Sequence, residues 1–333
     1  MSDARRSPFV LFVVAAGPRC GFGHLVRAGV LADALGASRQ LVLRGPESAL
    51  HTAVAFGWTV HRGPRLLGHL VPDLVLVDDP SAREGARWIR LARAARIPVV
   101  VVGDGGAAAP GADLTVDGSF AARPADRAGR MAGPAFAMLK PRPATRRARS
   151  LARASGRVLV ALGGGAHVRR LGVAIARAIA AHRSDLRVDV ARGFVLAGSA
   201  PALPARCRWV SAPDGLADHL AAASVAVVAG GVTLYEASAL GTPIVAVPVV
   251  SAQRRAIAAA ANAGVALAVT ARDERRIALD AAALVARLMD DPGLAADLSR
   301  RARRLVDGHG AARVAARIHS LLLPQQERWR HAA

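Results

Sequence analysis

The hydrophobic residues of this chain fall into blocks of two kinds that alternate along it. Short apolar runs rich in Val, Leu and Ile, such as residues 9–16 and 225–228, are typical of strands buried on both faces of a parallel sheet. The segments between them carry apolar residues at roughly every third or fourth position, the spacing of an amphipathic helix. This alternation predicts α/β domains built on parallel sheets.

The first part of the pattern predicts one doubly wound domain. Its strands are predicted at residues 9–16, 41–43, 58–60, 74–78, 99–103 and 114–116, and its helices at residues 24–35, 48–56 and 81–95. Between residues 120 and 155 the alternation stops in a segment rich in Arg, Pro and Ala. We interpret this segment as the connection between two domains.

The alternation then resumes and predicts a second domain of the same type. Strands are expected at residues 157–161, near Val188, and at 194–196, 208–210 and 225–228, and helices at 167–181, 216–222 and 233–240. A short strand and two or three amphipathic helices, ending near residue 323, are expected after Gly264.

The predicted organisation is an N-terminal Rossmann-like domain of residues 1–140, a C-terminal Rossmann-like domain of residues 141–323 and a tail of residues 324–333. In such folds ligands bind beyond the carboxyl ends of the parallel strands, so we expect the two domains to face a cleft.

Composition agrees with this fold class. The 333 residues are long for one domain and comfortable for two, and 53% are hydrophobic whereas only 4% are aromatic. The core must therefore consist of Ala, Val and Leu, which suits helices packed on a parallel sheet.

The net charge of +21 is weak evidence for nucleic-acid binding. Its basic residues are nearly all Arg, and Lys140 is the sole lysine. A GC-rich coding sequence produces such a preference for Arg over Lys. Because no zinc spacing or aromatic-basic interleaving accompanies the charge, we expect no specific nucleic-acid partner. The charge favours anionic substrates or acidic membrane headgroups.

Two features of the chain favour a cytoplasmic protein. Cys20 and Cys207 stand far apart with no metal-ligand spacing around them, as in a reduced protein. The apolar run at residues 8–16 continues into a patterned helix, so it is interpreted as the first buried strand and not as a secretion signal. No apolar run is long enough to span a bilayer, so we expect at most peripheral membrane association.

Residues 225–248 carry the strongest sign of a binding site. After an apolar strand, Gly230 and Gly231 form a turn into a short helix, and the free N–H groups at such a helix start favour phosphate. Glu236 lies about one turn into that helix, where a carboxylate can accept hydrogen bonds from both ribose hydroxyls. The alternative is a capping box, in which Thr233 and Glu236 only satisfy the helix's first N–H groups.

His24 is the candidate catalytic residue. It follows Gly21 and Gly23 in a glycine-rich loop after the first strand, from which a neutral imidazole can take a proton from water or a sugar hydroxyl. The alternative is a histidine that only caps its helix. The loop does not match a dinucleotide fingerprint, because Val26 replaces the third glycine and no acidic residue ends the second strand.

The paired Asp78 and Asp79 raise the question of a metal site. A third ligand and a spaced Asp-x-Asp are both missing from the sequence, so we predict a buried cap or a sugar contact and no metal. No cofactor is expected, since a helix terminus can supply the positive charge that a cation would provide.

The motif Gly-Gly-x-Thr-x-x-Glu-Ala at residues 230–237, followed by Leu-Gly-x-Pro and then by Gln253, resembles the nucleotide-sugar-binding half of GT-B enzymes. These include the N-acetylglucosaminyltransferase of peptidoglycan synthesis and the UDP-sugar hydrolase of pseudaminic acid biosynthesis. The resemblance implies that Gly230, Gly231, Val232 and Thr233 bind the phosphates and that Glu236 binds the ribose. It further implies that Gln253 binds the sugar, with an exposed helix-start glutamine as the alternative.

The motif Gly-x-Gly-His-x-x-Arg, formed by Gly21, Gly23, His24 and Arg27, is similar to the N-terminal motif of that hydrolase. The similarity implies that His24 is the base for inverting attack of water at C1, beside a sugar site that includes the two glycines and Arg27. LVLVDDP, VVGD and GPAFAMLKP resemble later blocks of the hydrolase in the same order. Gly163 and Gly164 resemble its second glycine loop, which lines the diphosphate site.

Three positions depart from the hydrolase pattern. Pro80 stands where the hydrolase has Tyr, Gly165 begins a replacement of its Ser-Asp-Pro, and Arg254 and Arg255 stand near the place of its Asn. Each change touches the sugar or diphosphate side, so the substrate and the nucleophile stay open. The arginines could pair with a phosphate or form a solvated charged face.

These observations lead to one leading hypothesis and two alternatives. The leading hypothesis is a UDP-sugar hydrolase of surface-glycan or nonulosonic-acid-like synthesis, which releases UDP and free sugar. The first alternative is an inverting glycosyltransferase that uses a UDP-sugar and a lipid-linked or small-molecule acceptor. The second alternative is a nucleotide-sugar-binding protein that has lost catalysis.

Overall fold

The computed structural model describes residues 7–17, 20–61, 63, 67, 70–104, 109–140, 155–163, 168–193, 201–212 and 215–330. The chain divides into two compact units. The first comprises residues 1–140 and 309–333, and the second comprises residues 141–308.

The described residues form strands and helices in near-regular alternation. The strands are β1 (Val10–Ala15), β2 (Gln40–Arg44), β3 (Thr59–His61), β4 (Leu74–Asp78), β5 (Val99–Val102), β6 (Leu114–Asp117), β7 (Ala125–Arg127), β8 (Arg130–Ala132), β9 (Arg157–Ala161), β10 (Arg187–Ala191), β11 (Cys207–Val210), β12 (Val225–Ala229), β13 (Ile244–Val247) and β14 (Leu267–Ala268). The α-helices are α1 (Gly23–Leu35), α2 (Glu47–Ala55), α3 (Ala82–Ala94), α4 (Val173–His182), α5 (Ala217–Ala222), α6 (Val232–Leu240), α7 (Arg254–Asn262), α8 (Glu274–Asp290), α9 (Pro292–Leu305) and α10 (Gly310–Arg330).

Each unit is a Rossmann-like domain around one sheet. The first sheet has the order β3-β2-β1-β4-β5-β6-β8-β7, parallel throughout except for the antiparallel pair β7–β8. The second has the order β11-β10-β9-β12-β13-β14 and is parallel throughout. In both sheets the strand order reverses beside the first strand of the unit, which is the topology of doubly wound folds. The predicted fold class, α/β with two Rossmann-like domains, is confirmed.

Burial explains why the strands could be recognised. All residues of β1, β4 and β12 are buried, because helices cover both faces of a parallel sheet. Their Val, Leu and Ala side chains pack against the apolar faces of the helices, for example Trp88 and Ile89 of α3 in the first unit. The strand predicted at residues 194–196 lies outside the described residues.

The segment after residue 120 was predicted to be a connection, and its first part is a portion of the first sheet. Strands β7 and β8 and a 3-10 turn, Pro134–Phe136, lie within it. The two strands have only three residues each, so they are too short to show a period-two pattern. Residues 141–154 lie outside the described residues.

Helix α10 belongs to the first unit, whereas residues up to 323 were assigned to the second domain. Its buried side chains, Ala311, Val314, Ala315, Ile318 and Leu322, form an apolar face, and the helix lies against α1. Two arginines on its flank fasten it to the segment before residue 141. Arg313 donates to the carbonyl of Ala135 at 2.9 Å, and Arg317 pairs with Asp126 at 2.8 Å.

Within the described part of the chain, the helices are too short or too polar to cross a bilayer.

Replacing Gly310 by Ala is expected to loosen α10 from the first unit. A Cβ at this buried position would lie 2.2 Å from the carbonyl oxygen of Ala137, and backbone cannot move aside as a flexible side chain can. Overpacking of this kind costs about 1–3 kcal/mol. We expect a lower melting temperature and faster proteolysis of the C-terminal segment than in the wild type.

Gly85→Ala is the matched control for that variant. Gly85 lies in α3 with no atom within 4 Å of the added Cβ, and Ala is the better helix former. This variant should melt at the wild-type temperature or above it. Equal melting of Gly310→Ala and the wild type would contradict the close packing of α10.

Candidate functional site

The loop after β1 places His24 at the carboxyl edge of the first sheet. Gly17 and Gly21 close this loop with two backbone hydrogen bonds of 2.7 and 3.0 Å, and both have positive φ angles. Phe22 is buried and precedes the first residue of α1, Gly23, so His24 lies in the helix's first turn. Gly17 and Gly21 therefore shape the turn that presents the imidazole, and the predicted sugar contacts of Gly21 and Gly23 stay predictions.

His24 pairs with a buried carboxylate from the neighbouring strand. Its Nδ1 lies 2.7 Å from Oδ1 of Asp78, the last residue of β4. Strands β1 and β4 pair directly, and the strand order reverses at this point, where ligands of doubly wound sheets bind. The side chain of His24 is 12% exposed and that of Asp78 only 1%.

Arg27 completes the cluster from the next turn of α1. Its Nε lies 2.5 Å from Oδ2 of Asp78, and its Nη2 lies 2.5 Å from Oδ1. Its Nη1 donates to Oδ1 of Asp104, just after β5, at 2.6 Å. The predicted sugar ligand Arg27 is thus held by two carboxylates.

These contacts fix the protonation of the cluster. Burial alone would raise the pKa of Asp78, but the charges of Arg27 and His24 and the hydrogen bonds from both lower it to about 2. Burial alone would lower the pKa of Arg27, whereas the charges of Asp104 and Asp78 raise it well above its ordinary value. Asp78 is therefore an ionised acceptor.

Because Asp78 is ionised, the short contact from Nδ1 of His24 requires a proton on Nδ1, which the ring donates to Oδ1. In the neutral ring Nε2 then carries the lone pair and can accept a proton. A histidine oriented by a buried carboxylate in this way has the arrangement of a general base.

The second carboxylate of the pair is neutralised separately. Asp79 accepts from Nε of Arg44 at 2.7 Å and from Nη2 at 2.5 Å, and from the backbone N–H of Ser81 at 2.8 Å. Asp78 therefore pairs with Arg27, and Asp79 pairs with Arg44. The described ranges contain no group of three His, Cys, Asp or Glu side chains that could hold a metal ion.

In the second unit, a glycine turn and a helix start lie where the strand order reverses, as the His24 loop does in the first unit. β9 and β12 are neighbours at the reversal of strand order, and each ends in glycines. Gly163 follows β9 with a φ of +91°, and Gly164 lies outside the described residues. Gly230 and Gly231 follow β12 and lead into α6.

The start of α6 excludes the capping box. The N-cap is Gly231, with no side-chain cap hydrogen bond, and the helix begins at Val232. Thr233 is therefore the second helical residue and cannot act as the N-cap. The N–H groups of Val232 and Thr233 belong to the first turn, which lacks intrahelical acceptors and favours an anion. Glu236 lies one turn further on, partly exposed.

Gln253 adjoins this turn, and its predicted sugar contact stays a prediction. A Cβ on Gly230 would lie 2.9 Å from Cβ of Gln253, and one on Gly231 would lie 4.0 Å from its Nε2. The backbone N–H of Val249 donates to its Oε1 at 3.2 Å. Its amide nitrogen is thus aimed at the glycine turn, a position suited to a donor for a bound ligand.

Arg254 has a structural contact. Its guanidinium donates to the carbonyls of Thr270 and Ala271, both at 3.2 Å, and so fastens α7 to the segment after β14. Nε2 of His61 lies 2.6 Å from Oε1 of Gln40.

The sequence did not identify Asp78 and Asp104 as partners of the histidine and arginine. The available signal was that Asp78 ends one predicted strand and Asp104 follows another. What was missing was the strand order β2-β1-β4-β5, which brings the ends of β4 and β5 beside α1.

Comparison with known proteins supports the fold. The sequence matches no protein-family model and no curated protein significantly. The chain is similar in structure to MurG of Acinetobacter baumannii, with a TM-score of 0.64, 15% identity and coverage of 94% of this chain and 100% of the other. It is also similar to the spinosyn rhamnosyltransferase SpnG complexed with thymidine diphosphate (0.63, 18%, 94% and 99%) and to the calicheamicin glycosyltransferase CalG4 (0.64, 18%, 95% and 98%). At these identities the likeness establishes a GT-B fold.

Gly231→Ala is expected to weaken nucleotide binding without changing the fold. The nearest protein atom to an added Cβ is 4.0 Å away, so the methyl group occupies open space at the helix start, where the phosphates are predicted. We expect the affinity for UDP to fall at least about tenfold, or about 1.4 kcal/mol, by calorimetry. The melting temperature should stay at the wild-type value.

Gly230→Ala is the matched comparison, because its Cβ would lie 2.9 Å from atoms of Gln253 and Ile257. This variant should lose stability. If Gly231→Ala binds UDP as tightly as the wild type does, the phosphates do not bind at the start of α6.

The stabilisation provided by Asp78 should depend on pH. Its pKa of about 2 in the folded protein lies below the ordinary 3.8 of the unfolded chain, so the unfolded state binds more protons between these values. The stabilisation is complete above about pH 4 and is lost as the pH falls through 2. The difference in unfolding free energy between wild type and Asp78→Asn should shrink by about 2 kcal/mol over that range.

Urea denaturation at pH 6, 4, 3 and 2 measures this difference. Asp297→Asn is the control, because its carboxyl is exposed and pairs with an exposed arginine, so the corresponding difference should change little. A pH-independent difference for Asp78→Asn would show that Asp78 is not ionised in the fold.

Proposed function

We propose that this protein hydrolyses a nucleotide sugar, with UDP as the nucleotide, and that His24 is the general base. The observation that carries the proposal is the hydrogen bond from Nδ1 of His24 to the buried, ionised Asp78. It leaves Nε2 as a proton acceptor at the carboxyl edge of a doubly wound sheet, the edge where such folds bind ligands.

The reaction follows from these roles. Nε2 of His24 takes a proton from water while the water oxygen forms a bond to the anomeric carbon. The bond from that carbon to the diphosphate oxygen breaks, and the diphosphate leaves with the bonding electrons. Attack opposite to the leaving group inverts the anomeric configuration. Asp78 stabilises the imidazolium that forms, as a carboxylate hydrogen-bonded to Nδ1 does in other His-based sites.

The second unit supplies the nucleotide site in this proposal. The N–H groups at the start of α6 and the positive end of its helix dipole bind the diphosphate and stabilise its charge on departure. Glu236 binds the ribose hydroxyls, and Gln253 donates its amide to the ligand. Gly163 and Gly164 line the diphosphate on the neighbouring strand. These assignments rest on the glycine turn, the α6 start at Val232 and the orientation of Gln253.

Glycosyl transfer to an alcohol is the second candidate, and the structural neighbours favour it. SpnG and CalG4 are described as glycosyltransferases, and one SpnG structure holds thymidine diphosphate. The same base can deprotonate an acceptor hydroxyl in place of water. The choice of water rests on the similarity of Gly21, Gly23, His24 and Arg27 to the hydrolase motif.

Incubation of the purified protein with a panel of UDP-sugars, without acceptor, tests the proposal. Hydrolysis predicts free sugar and UDP in equal amounts at catalytic rates, with the inverted anomer formed first by NMR. Turnover that requires an added lipid-linked or small-molecule alcohol would instead establish transfer. UDP binding without turnover under either condition would identify a non-catalytic binding protein.

His24→Ala should lower kcat by about 10²–10⁴-fold, the contribution typical of a general base. Binding of UDP should stay at the wild-type level, because the nucleotide contacts are assigned to the second unit. His51→Ala is the control, since His51 is exposed on α2, and it should keep wild-type turnover. Retention of wild-type turnover in His24→Ala would eliminate His24 as the base.

A further inference from the structure

Arg27 connects three elements of the first unit through one guanidinium. It lies on α1 and contacts Asp78 at the end of β4 through Nε and Nη2, and Asp104 after β5 through Nη1. The side chain of Arg27 is 13% exposed and that of Asp78 is 1% exposed, whereas Asp104 is 55% exposed. The contacts therefore run from a buried carboxylate to a solvent-facing one.

We propose that Arg27 and Asp104 are positioning residues that hold Asp78, and through it the ring of His24, in the orientation required of a base. This proposal rests on the role given to His24 under the proposed function. It assigns Arg27 a role other than the sugar contact implied by the sequence resemblance.

The positioning follows from the geometry of the fork. Nε of Arg27 binds Oδ2 of Asp78 while Nη2 binds Oδ1, both at 2.5 Å, so the plane of the carboxylate is fixed. Oδ1 is then held 2.7 Å from Nδ1 of His24. A point charge such as a lysine ammonium cannot make both contacts in one plane, so it would leave the carboxylate free to rotate.

Nδ1 of His24 lies beside two charged partners. Oδ1 of Asp78 is 2.7 Å from it, and Nη2 of Arg27 is 2.9 Å from it. Asp104 offsets part of the arginine's charge from the solvent side. Among the described residues of this edge, Arg44 and Asp79 pair with each other. Cys20 also lies near this edge, and burial raises the pKa of its thiol, which keeps it neutral.

The proposal predicts that the fork is needed for turnover and for the hydrogen bond of His24, but not for nucleotide binding. Arg27→Gln removes the fork that fixes the carboxylate of Asp78, so kcat should fall about tenfold or more and the Nδ1–H···Oδ1 hydrogen bond of His24 should weaken, while the affinity for UDP stays at the wild-type value. Asp104→Asn removes one of the two carboxylates that hold Arg27, so it should give the same changes to a smaller extent. Arg27→Lys should not restore kcat, because a lysine cannot reproduce the fork.

The hydrogen bond from Nδ1 of His24 is followed at one pH by NMR of the imidazole N–H protons and nitrogens in the full-length protein. The chain has 10 histidines, and the His24 signal is the one absent from a His24→Gln sample. Arg44→Gln is the control, because it breaks the neighbouring pair with Asp79 and should leave the Nδ1–H signal of His24 unchanged. If Arg27→Gln fails to fold, Asp104→Asn provides the test, because Asp104 is exposed.

The outcomes separate this proposal from the proposed function. A weakened Nδ1–H hydrogen bond in the Arg27 and Asp104 variants, without turnover of any nucleotide sugar by the wild type, would support the positioning role and refute the enzymatic one. Turnover by the wild type, with a wild-type Nδ1–H signal and wild-type kcat in both variants, would refute the positioning role and leave the enzymatic one intact.

Discussion

A carboxylate with 1% of its side chain exposed stays ionised only if opposite charge and hydrogen bonds replace the water it has lost, and Asp78 is such a group. Arg27 supplies the charge, and His24 supplies a further hydrogen bond. The pairing has a second consequence, because an ionised Asp78 dictates which nitrogen of His24 carries the proton. The same interaction therefore stabilises a buried charge and orients a proton acceptor, so the cluster cannot be divided into structural and functional parts.

The two units place unlike chemistry at equivalent positions of the same topology. In each, the strand order reverses beside the first strand, which leaves an open edge between two helix starts. The first unit presents a histidine and charged side chains there, each satisfied by a partner. The second presents glycines and backbone N–H groups at the start of α6, where a Cβ on Gly231 would lie 4.0 Å from the nearest described atom. The proposed proton transfer and the proposed anion site use these two edges.

The sequence predicted the fold well and the site in part. Apolar runs such as β1 and β12 indicate buried parallel strands, and glycines before a helix indicate the turn at Gly231. Both features can be predicted because each depends only on neighbouring residues in the sequence. Three-residue strands such as β7 and β8 carry too few side chains for any periodicity. The partnership of His24 with Asp78 spans 54 positions and depends on which strands are neighbours, which no local pattern encodes. Thr233 and Glu236 match a capping box by spacing, yet the helix begins at Val232, and a helix start is determined by backbone geometry that spacing does not reveal.

Helix α10 gives the fold a particular order of assembly. It packs on α1 and is fastened to Ala135 and Asp126, so the first unit includes residues from both ends of the chain, while the second unit is continuous between them. A ribosome delivers the N-terminal end first. The second unit can therefore complete its core during synthesis, whereas the first unit lacks the packing of α10 on α1 until that helix emerges. The first unit therefore begins to form before the second unit and completes its fold after it.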